Sequence, residues 1–254
     1  MASQIVPSDP LSGEKPEMDI SLRDETDEQV SIIVVHKDEP NYLNICLQSI
    51  AVTSNNNNYE IIVVDNGSDQ ESLDFLDELE GEVKVIRNGK NLYWSAAANK
   101  GVEAADENSK YFIFLHYDTV VLNPGWLDLL INVAESQKSG MVGTELNTYM
   151  VQGNKVNFVQ EWCLLISKEA WQDIGPFPEE LPQVGHSIVM TLKAHRYNHA
   201  PQIINNPIIH HYRKFSLDIN EYEKMIEKAM TDIPKLLTDV QSQALPNPLP
   251  RQQQ

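Results

Sequence analysis

The sequence predicts an α/β fold in which a mainly parallel sheet is flanked by helices, followed by an α+β second half. Two observations support this prediction. Four short runs rich in Ile and Val occur in the first half, without polar alternation, which is typical of strands buried on both faces. The segments between the runs have helical spacing, and such alternation with short links indicates βαβ units around a parallel sheet.

Each element of the first half is supported by a local pattern. The predicted strands cover residues 31–35, 60–64, 83–86 and 111–115. After the first strand, Leu43, Leu47 and Ile50 are spaced three and four residues apart, as on one face of a helix. The second helix follows Asp69, a suitable N-cap, and the third contains the alanine-rich segment 95–105, because alanine favours helices.

The second half is less regular. An amphipathic helix is predicted after Pro124-Gly125, strands at 141–144 and within 155–167, and helices at 187–197 and 221–233. We expect Pro234 to end or kink the last helix, because proline lacks the amide hydrogen and clashes with the preceding turn.

The composition predicts one folded domain between two flexible ends. Residues 1–29 carry eight acidic against two basic side chains and few large apolar ones, which is typical of a flexible arm. The predicted division is an acidic arm at 1–29, a domain at 30–216, a C-terminal helix at 217–240 and a disordered tail at 241–254.

The charge and apolar content limit the partners and the location. A formal net charge of −18 argues against nucleic acid and anionic membrane surfaces, since binding phosphates requires basic patches. No apolar run reaches membrane-spanning or signal-peptide length. Two cysteines in apolar contexts fit a reducing compartment, so we expect a cytoplasmic protein without a membrane span. The oligomeric state stays open, with a homo-oligomer as one alternative.

Polar clusters follow three of the predicted strands, at residues 36–38, 65–69 and 116–118. Any one of them could be a solvated turn. The carboxyl ends of parallel strands share one edge of a sheet, where ligands bind, so three clusters together predict a ligand crevice. The glycine-rich dinucleotide fingerprint and the Walker loop are both missing from the sequence. A redox or phosphoryl-transfer function therefore loses its main support.

Four segments of the chain together carry a family resemblance. They are "VSIIVVHKDEPNYLNICLQSI", "YEIIVVDNGSDQES", "IRNGKNLYWSAAANKGVEAA" and "YFIFLHYDTVVLNPGWLDLL". In this order they resemble the family 2 glycosyltransferases, most strongly between residues 30 and 126 and more weakly at 162–181 and 208–216. The resemblance implies a GT-A (Rossmann-like) fold with a donor half at 30–126 and an acceptor-side half at 143–212.

The same resemblance implies the activity. A family member transfers a sugar from a UDP-, GDP- or dTDP-linked donor to an acceptor hydroxyl. The cofactor is Mg²⁺ or Mn²⁺. We expect the reaction to invert the sugar and the acceptor to be a glycan or another hydroxyl compound.

The resemblance also implies which residues bind the nucleotide sugar. Asp65 matches an aspartate that contacts the nucleobase, and a carboxylate can accept the N–H groups of uracil, thymine or guanine. The predicted binding residues are His36, Asp38, Asp65, Asn66, Asn91, Ser95, Asn99, His116, Tyr117 and Asp118.

Residues 116–118 lie where the family has its Asp-x-Asp metal motif. Asp118 keeps the second aspartate, whereas His116 replaces the first. Imidazole is a poor ligand for Mg²⁺ but acceptable to Mn²⁺, so His116 is either a ligand or a hydrogen-bond donor to ribose or phosphate. The family places a further histidine ligand near "HHYRK", and His211 is our first choice and His210 the second. In so acidic a chain, a dication would also relieve repulsion of the diphosphate.

The catalytic base is left open by the sequence. An inverting transferase needs a group that takes the acceptor proton, and the family supplies a Glu-Asp pair where this chain has His186-Ser187. Either His186 is the base, or Glu179 or Glu180 is, or the protein is catalytically impaired. The impaired alternative is a module that binds nucleotide or glycan without turnover. Another alternative is a scaffold that recruits partners through the acidic arm and the C-terminal helix.

Overall fold

A computed structural model describes residues 30–54, 58–79, 81–151, 154–204, 208–213 and 219–242. The predicted acidic arm and most of the predicted tail lie outside the described residues. In chain order the elements are β1 (Val30–His36), α1 (Pro40–Thr53), β2 (Tyr59–Asp65), α2 (Gln70–Glu78), β3 (Lys84–Arg87), α3 (Tyr93–Glu103), β4 (Tyr111–His116), β5 (Thr119–Val121), α4 (Trp126–Ser136), β6 (Met141–Gly143), β7 (Leu146–Val151), β8 (Asn154–Val159), β9 (Cys163–Ser167), α5 (Lys168–Ile174), α6 (His186–Arg196), β10 (Gln202–Ile203), β11 (Ile209–His211) and α7 (Ile219–Ser242).

The main sheet has seven strands in the order β10-β6-β9-β4-β1-β2-β3. Strand β1 runs parallel to both β2 and β4, and β9 is antiparallel to β4 and β6. The mainly parallel sheet predicted from the sequence is therefore confirmed, and so are its first four strands. In the register, His36 pairs with Asp65 and Val35 with His116, so the three predicted polar clusters meet at one edge.

Both faces of the sheet are covered by helices. Alternate residues of β1 point to opposite cores: Ile32 packs with α1, α2 and α4, and Ile33 packs with α3, α5 and α6. Burial on both faces explains why the strand sequences lack polar alternation. Helix α3 approaches closely at Gly101, where a Cβ atom would lie 2.4 Å from a methyl carbon of Ile33.

The second half adds two small sheets. Strands β7 and β8 form an antiparallel hairpin, and β11 pairs antiparallel with β5. Strands β5, β7, β10 and β11 are absent from the sequence-based prediction because short ladders are set by tertiary pairing rather than by a local pattern.

Helix α7 does not end at Pro234 but continues through it to Ser242. Proline removes one helical hydrogen bond. The face that carries Ala229 and Ile233 is buried against Leu181 and the side chains of α6, and this burial offsets the loss. No described helix is both long and apolar enough to cross a membrane.

His36 is a buried histidine at the carboxyl end of β1. Its ring is fully buried and meets the ring of Tyr117 edge-on, at a centroid distance of 5.4 Å. Burial lowers the pKa of His36 from 6.5 to about 4, although the nearby Asp65 carboxylate favours the protonated form. The folded protein therefore holds this imidazole neutral.

We expect His36 to make the protein less stable as the pH falls from 6.5 towards 4. In that interval the unfolded chain binds a proton that the folded chain excludes, so the stabilisation present above pH 6.5 is progressively lost. The effect of this one group is about 3 kcal/mol across the interval. Urea unfolding of the wild type and of His36→Leu at several pH values measures it, and the variant should show the flatter profile.

His195→Leu is the matched control, because His195 is an exposed histidine of α6. Its profile should follow that of the wild type. Parallel profiles for the wild type and His36→Leu would contradict the assignment of a neutral buried imidazole to position 36.

Candidate functional site

A cleft opens at the edge of the sheet where β1, β2 and β4 end. The volume of the cavity in this cleft is small, about 80 Å³. Most of the side chains around it come from the predicted polar clusters. The lining residues are Val35, His36, Lys37, Asn66, Asn91, Trp94, His116, Tyr117, Asp118 and Gln183.

Three potential metal ligands converge beside this cleft. The ligand atoms of His116, Asp118 and His211 all lie within 4.8 Å of one another. The Nε2 atom of His211 is 3.2 Å from Oδ1 of Asp118, and Nδ1 of His116 is 4.0 Å from the same oxygen. Two imidazoles and one carboxylate around a common point are a donor set suited to a first-row transition ion such as Mn²⁺.

The pairing of β5 with β11 brings His211 to the cluster. His211 lies opposite Thr119 in this ladder, and the amide of Tyr212 donates to the carbonyl of Asp118 at 2.9 Å. The backbone of β11 is thereby fixed directly beside the residues that follow β4. His211 is more than ninety positions from His116 and Asp118 in the sequence but is their neighbour in the fold.

The chemistry of the cluster fits a bound cation. Burial lowers the pKa of His116, against the opposing influence of Glu161 and Asp118, so its imidazole is neutral and able to coordinate. The ring of His211 stacks on Trp162 at 5.0 Å between centroids, and the Trp162 indole donates to Glu145 at 2.8 Å. Contacts of this kind orient a ligand before the ion arrives.

His210, the second choice for a metal ligand, does not join the cluster. Consecutive residues of a strand point to opposite sides. His210 is accordingly exposed, and its ring meets that of Tyr212 edge-on at 4.8 Å.

Glu161, which the sequence-based prediction did not include, lies on the far side of His116 from Asp118. Its Oε1 atom is 4.0 Å from Nε2 of His116 and 3.8 Å from Nε2 of His186, and Ser187 donates to its Oε2 at 2.5 Å. Burial favours the neutral acid, but the polar groups around the carboxylate, among them the Ser187 hydroxyl, lower the pKa of Glu161. A charge placed just before the apolar strand β9 was the signal that could have revealed it.

His186 is buried beneath the cleft rather than open to it. Only 1% of its surface is exposed, and its ring stacks on Trp94 at 4.6 Å between centroids with an angle of 13°. Burial lowers the pKa of His186, although Glu161 favours its protonation. A neutral imidazole therefore lies directly beside the Glu161 carboxylate.

Glu179 and Glu180, the other predicted bases, are exposed and are not among the described residues that line the cleft. Glu179 accepts a hydrogen bond from Asn99, and the backbone carbonyl of Glu180 accepts one from Lys228. The loop that carries both glutamates follows α5 and is hydrogen-bonded to α3.

Two of the predicted nucleotide-binding residues hold this loop in place. Ser95 donates to the carbonyl of Leu181 at 2.7 Å, and the Asn99 amide exchanges two hydrogen bonds with the backbone of Phe177. Both side chains are buried. Polar groups with such partners are engaged in fixing the backbone.

Asp65 and Asp38 are engaged in the turns around the cleft. The Asp65 carboxylate is buried and accepts the amides of Gly67 and Ser68, and the Asp38 carboxylate accepts the amide of Asp69. Gly67 has a φ of +76°, and a Cβ there would lie 2.6 Å from the backbone of residue 90. The two carboxylates therefore shape the cleft wall, whether or not they also contact a ligand.

The sequence is similar to one protein family and to parts of two known proteins. The profile described as Glycosyl transferase family 2 matches residues 31–192. O-antigen biosynthesis protein RfbC of Myxococcus xanthus is 27% identical over 200 residues, which are 65% of this chain and 16% of that protein. Uncharacterized protein y4gI of Sinorhizobium fredii is 32% identical over 121 residues, 46% of this chain and 13% of that one. The chain spans less than a fifth of either relative.

Solved structures share the fold. Mannosyltransferase PcManGT of Pyrobaculum calidifontis, in complex with GDP-Man and Mn²⁺, superposes with a TM-score of 0.61 at 12% identity, over 92% of this chain and 70% of that one. S. aureus TarS 1-349 in complex with UDP superposes with a TM-score of 0.58 at 15% identity, over 81% and 65% of the two chains. The fold is the GT-A fold of these transferases.

The adjacent histidines of β11 provide a direct test of the metal cluster. We expect His211→Ala to weaken Mn²⁺ binding at least about tenfold, because loss of a ligand should exceed the effect of losing an outer contact. His210→Ala should bind Mn²⁺ as the wild type does. Titration of free Mn²⁺ followed by electron paramagnetic resonance measures both, and equal affinities in the two variants would contradict the assignment of His211.

Proposed function

The chain belongs to glycosyl transferase family 2, and we propose that it transfers a sugar from a nucleoside diphosphate to an acceptor hydroxyl with inversion. The observation that carries this proposal is the cluster of His116, Asp118 and His211 beside the cleft, at the carboxyl edge of a parallel sheet. Ligands of open α/β sheets bind at this edge. The O-antigen relative supports a glycan as the acceptor.

A divalent cation is the cofactor that the cluster suits. His116, Asp118 and His211 would hold it, and with two nitrogen ligands we favour Mn²⁺ over Mg²⁺. Bound there, the ion would neutralise the diphosphate and stabilise the leaving group. Lys37 is the basic residue that lines the cleft, so side chains alone provide little positive charge for an anionic donor.

The loops around the cleft supply the donor contacts. The amides of Asn66 and Asn91 line it and are hydrogen-bonded to each other at 2.9 Å. A sugar nucleotide needs more room than the present space, so we expect the loops to separate when it binds. Asp38 and Tyr93, which have positive φ angles of 56° and 61°, are strained positions at which such a rearrangement would relieve strain.

We assign the base to Glu161 rather than to His186. Glu161 accepts a hydrogen bond from the Ser187 hydroxyl, which favours its carboxylate form, and its Oε1 atom is 4.0 Å from Nε2 of His116, one of the three potential metal ligands. In the proposed reaction its carboxylate takes the proton of the acceptor hydroxyl as the glycosidic bond forms. His186, buried under Trp94, would position the carboxylate.

Both cysteines are free and buried thiols. Free thiols persist in reducing compartments, and nucleotide sugars are the proposed donors, so we propose a cytoplasmic location for the reaction.

The function is tested by incubating the protein with UDP-, GDP- and dTDP-sugars and measuring release of the nucleoside diphosphate. At least one donor should be hydrolysed, EDTA should stop the release, and Mn²⁺ should restore it. The Asp118→Asn variant should release no nucleoside diphosphate, because the cluster would lack its carboxylate. Release that persists unchanged in EDTA would refute the metal-dependent function.

A module that binds without turnover is the second candidate, because His116 and His186 stand where the family has acidic residues. Metal-dependent nucleotide binding without release from any donor is the outcome that favours it.

Glu161→Gln tests the base. The amide keeps the shape but cannot accept a proton, so we expect kcat to fall about 10²- to 10⁴-fold with little change in the KM for the donor. The matched control is Glu180→Gln, an exposed predicted base that should retain wild-type kcat. Similar kcat values for the two variants would return the role to His186 or to another group.

A further inference from the structure

A second cavity, of about 240 Å³, lies beside the cleft. Its walls are the β7–β8 hairpin, the loop before α6, and α7. The α7 residues are spaced four, three and four apart, so they form one face of the helix. The principal wall residues are Tyr149 and Phe158 of the hairpin, and Tyr222, Ile226, Ala229 and Ile233 of α7.

The position of α7 against this cavity is built into the fold. Gly185 has a φ of +90°, a conformation that favours glycine, and it packs against α7, where a Cβ atom would lie 2.8 Å from Cδ1 of Ile233 and 3.2 Å from Cβ of Ala229. The Tyr93 hydroxyl donates to Glu221 at the start of α7, and Lys228 donates to the carbonyl of Glu180. These contacts tie the helix to the domain on either side of the cavity.

The lining combines aromatic and aliphatic surfaces with neutral polar groups. Asn147, Thr148, Gln160 and Gln183 supply amides and a hydroxyl, and Glu161 is the charged residue among the described lining residues. With no lysine or arginine in that lining, an anionic ligand is disfavoured. A sugar ring has apolar faces that can lie against tyrosine and hydroxyls that can bond to amides, so the lining suits a neutral carbohydrate.

The two cavities meet at Gln183 and Glu161. Gln183 lines both cavities, and its side-chain oxygen accepts the amide of Trp94 at 3.2 Å. Glu161 lines the second cavity and approaches His116 of the metal cluster. A hydroxyl at the inner end of the second cavity would therefore face the carboxylate that we assign as the base.

We propose that the second cavity is the acceptor subsite, that it binds one neutral sugar unit of a glycan, and that α7 forms one wall of it. The assignment of an acceptor role to this cavity rests on the proposed glycosyl transfer. The binding of the sugar is a separate property and can be tested without a donor.

The test uses the full chain, without nucleotide, and a panel of methyl glycosides of neutral hexoses, 6-deoxyhexoses and N-acetylhexosamines, with methyl glucuronide as the anionic comparison. Saturation-transfer NMR titrations measure the affinities. At least one neutral glycoside should bind more tightly than the glucuronide. Tyr222→Ala should lower the affinity for that neutral glycoside at least about fivefold through loss of an aromatic contact. Tyr222→Phe should retain most of this affinity.

Two further variants make the result specific to the cavity. Ile226→Trp should block binding by filling the space, and Met230→Ala, on the exposed side of α7, should bind as the wild type does. The proposal is overturned by binding of none of the neutral glycosides, by equal binding of the glucuronide, or by equal affinities in Ile226→Trp and the wild type. A separate titration of the wild type with UDP, GDP and dTDP in the presence of Mn²⁺ reports on the proposed function. A failure of the acceptor-subsite proposal can therefore be distinguished from a failure of the proposed function.

Discussion

The register of the parallel strands is the constraint on which the site depends. Because β1 pairs with both β2 and β4, His36 lies opposite Asp65, and His116 lies opposite Val35, one residue earlier, at the same edge of the sheet. A slip of one residue would turn each of these side chains to the opposite face. The antiparallel pairing of β5 with β11 then adds His211 to Asp118, so the metal cluster exists only when both ladders are formed.

Burial gives the site an unusual balance of charge. Burial lowers the pKa of His36, His116 and His186, so these imidazoles are neutral, whereas the carboxylates of Asp118 and Glu161 face the same region. The site is thus anionic before any donor arrives, in a chain whose net charge is −18. A bound dication is the simplest way for such a site to accept a diphosphate, since the described cleft offers one lysine.

The departures from the family pattern are connected in space. His116 replaces the first aspartate of the metal motif and His186 stands where an acidic pair is expected, and both approach the same oxygen of Glu161. In the proposed function, Glu161 from the link between β8 and β9 supplies the carboxylate that both positions lack. This arrangement favours an altered active site over a lost one, because the Ser187 hydroxyl donates to the Glu161 carboxylate and two imidazoles surround it.

The sequence by itself determined the sheet, its flanking helices and the edge at which the three polar clusters meet, because apolar runs and helical spacing are local patterns. It also predicted Asp118 and His211 as metal ligands, and the structure brings these two side chains together. Only the tertiary structure showed that Ser95 and Asn99 hold a loop, that Glu179 and Glu180 face solvent, and that Glu161 approaches two histidines. The physical reason is that a polar side chain takes its role from the groups packed around it, and those groups come from distant segments whose pairing no local pattern specifies.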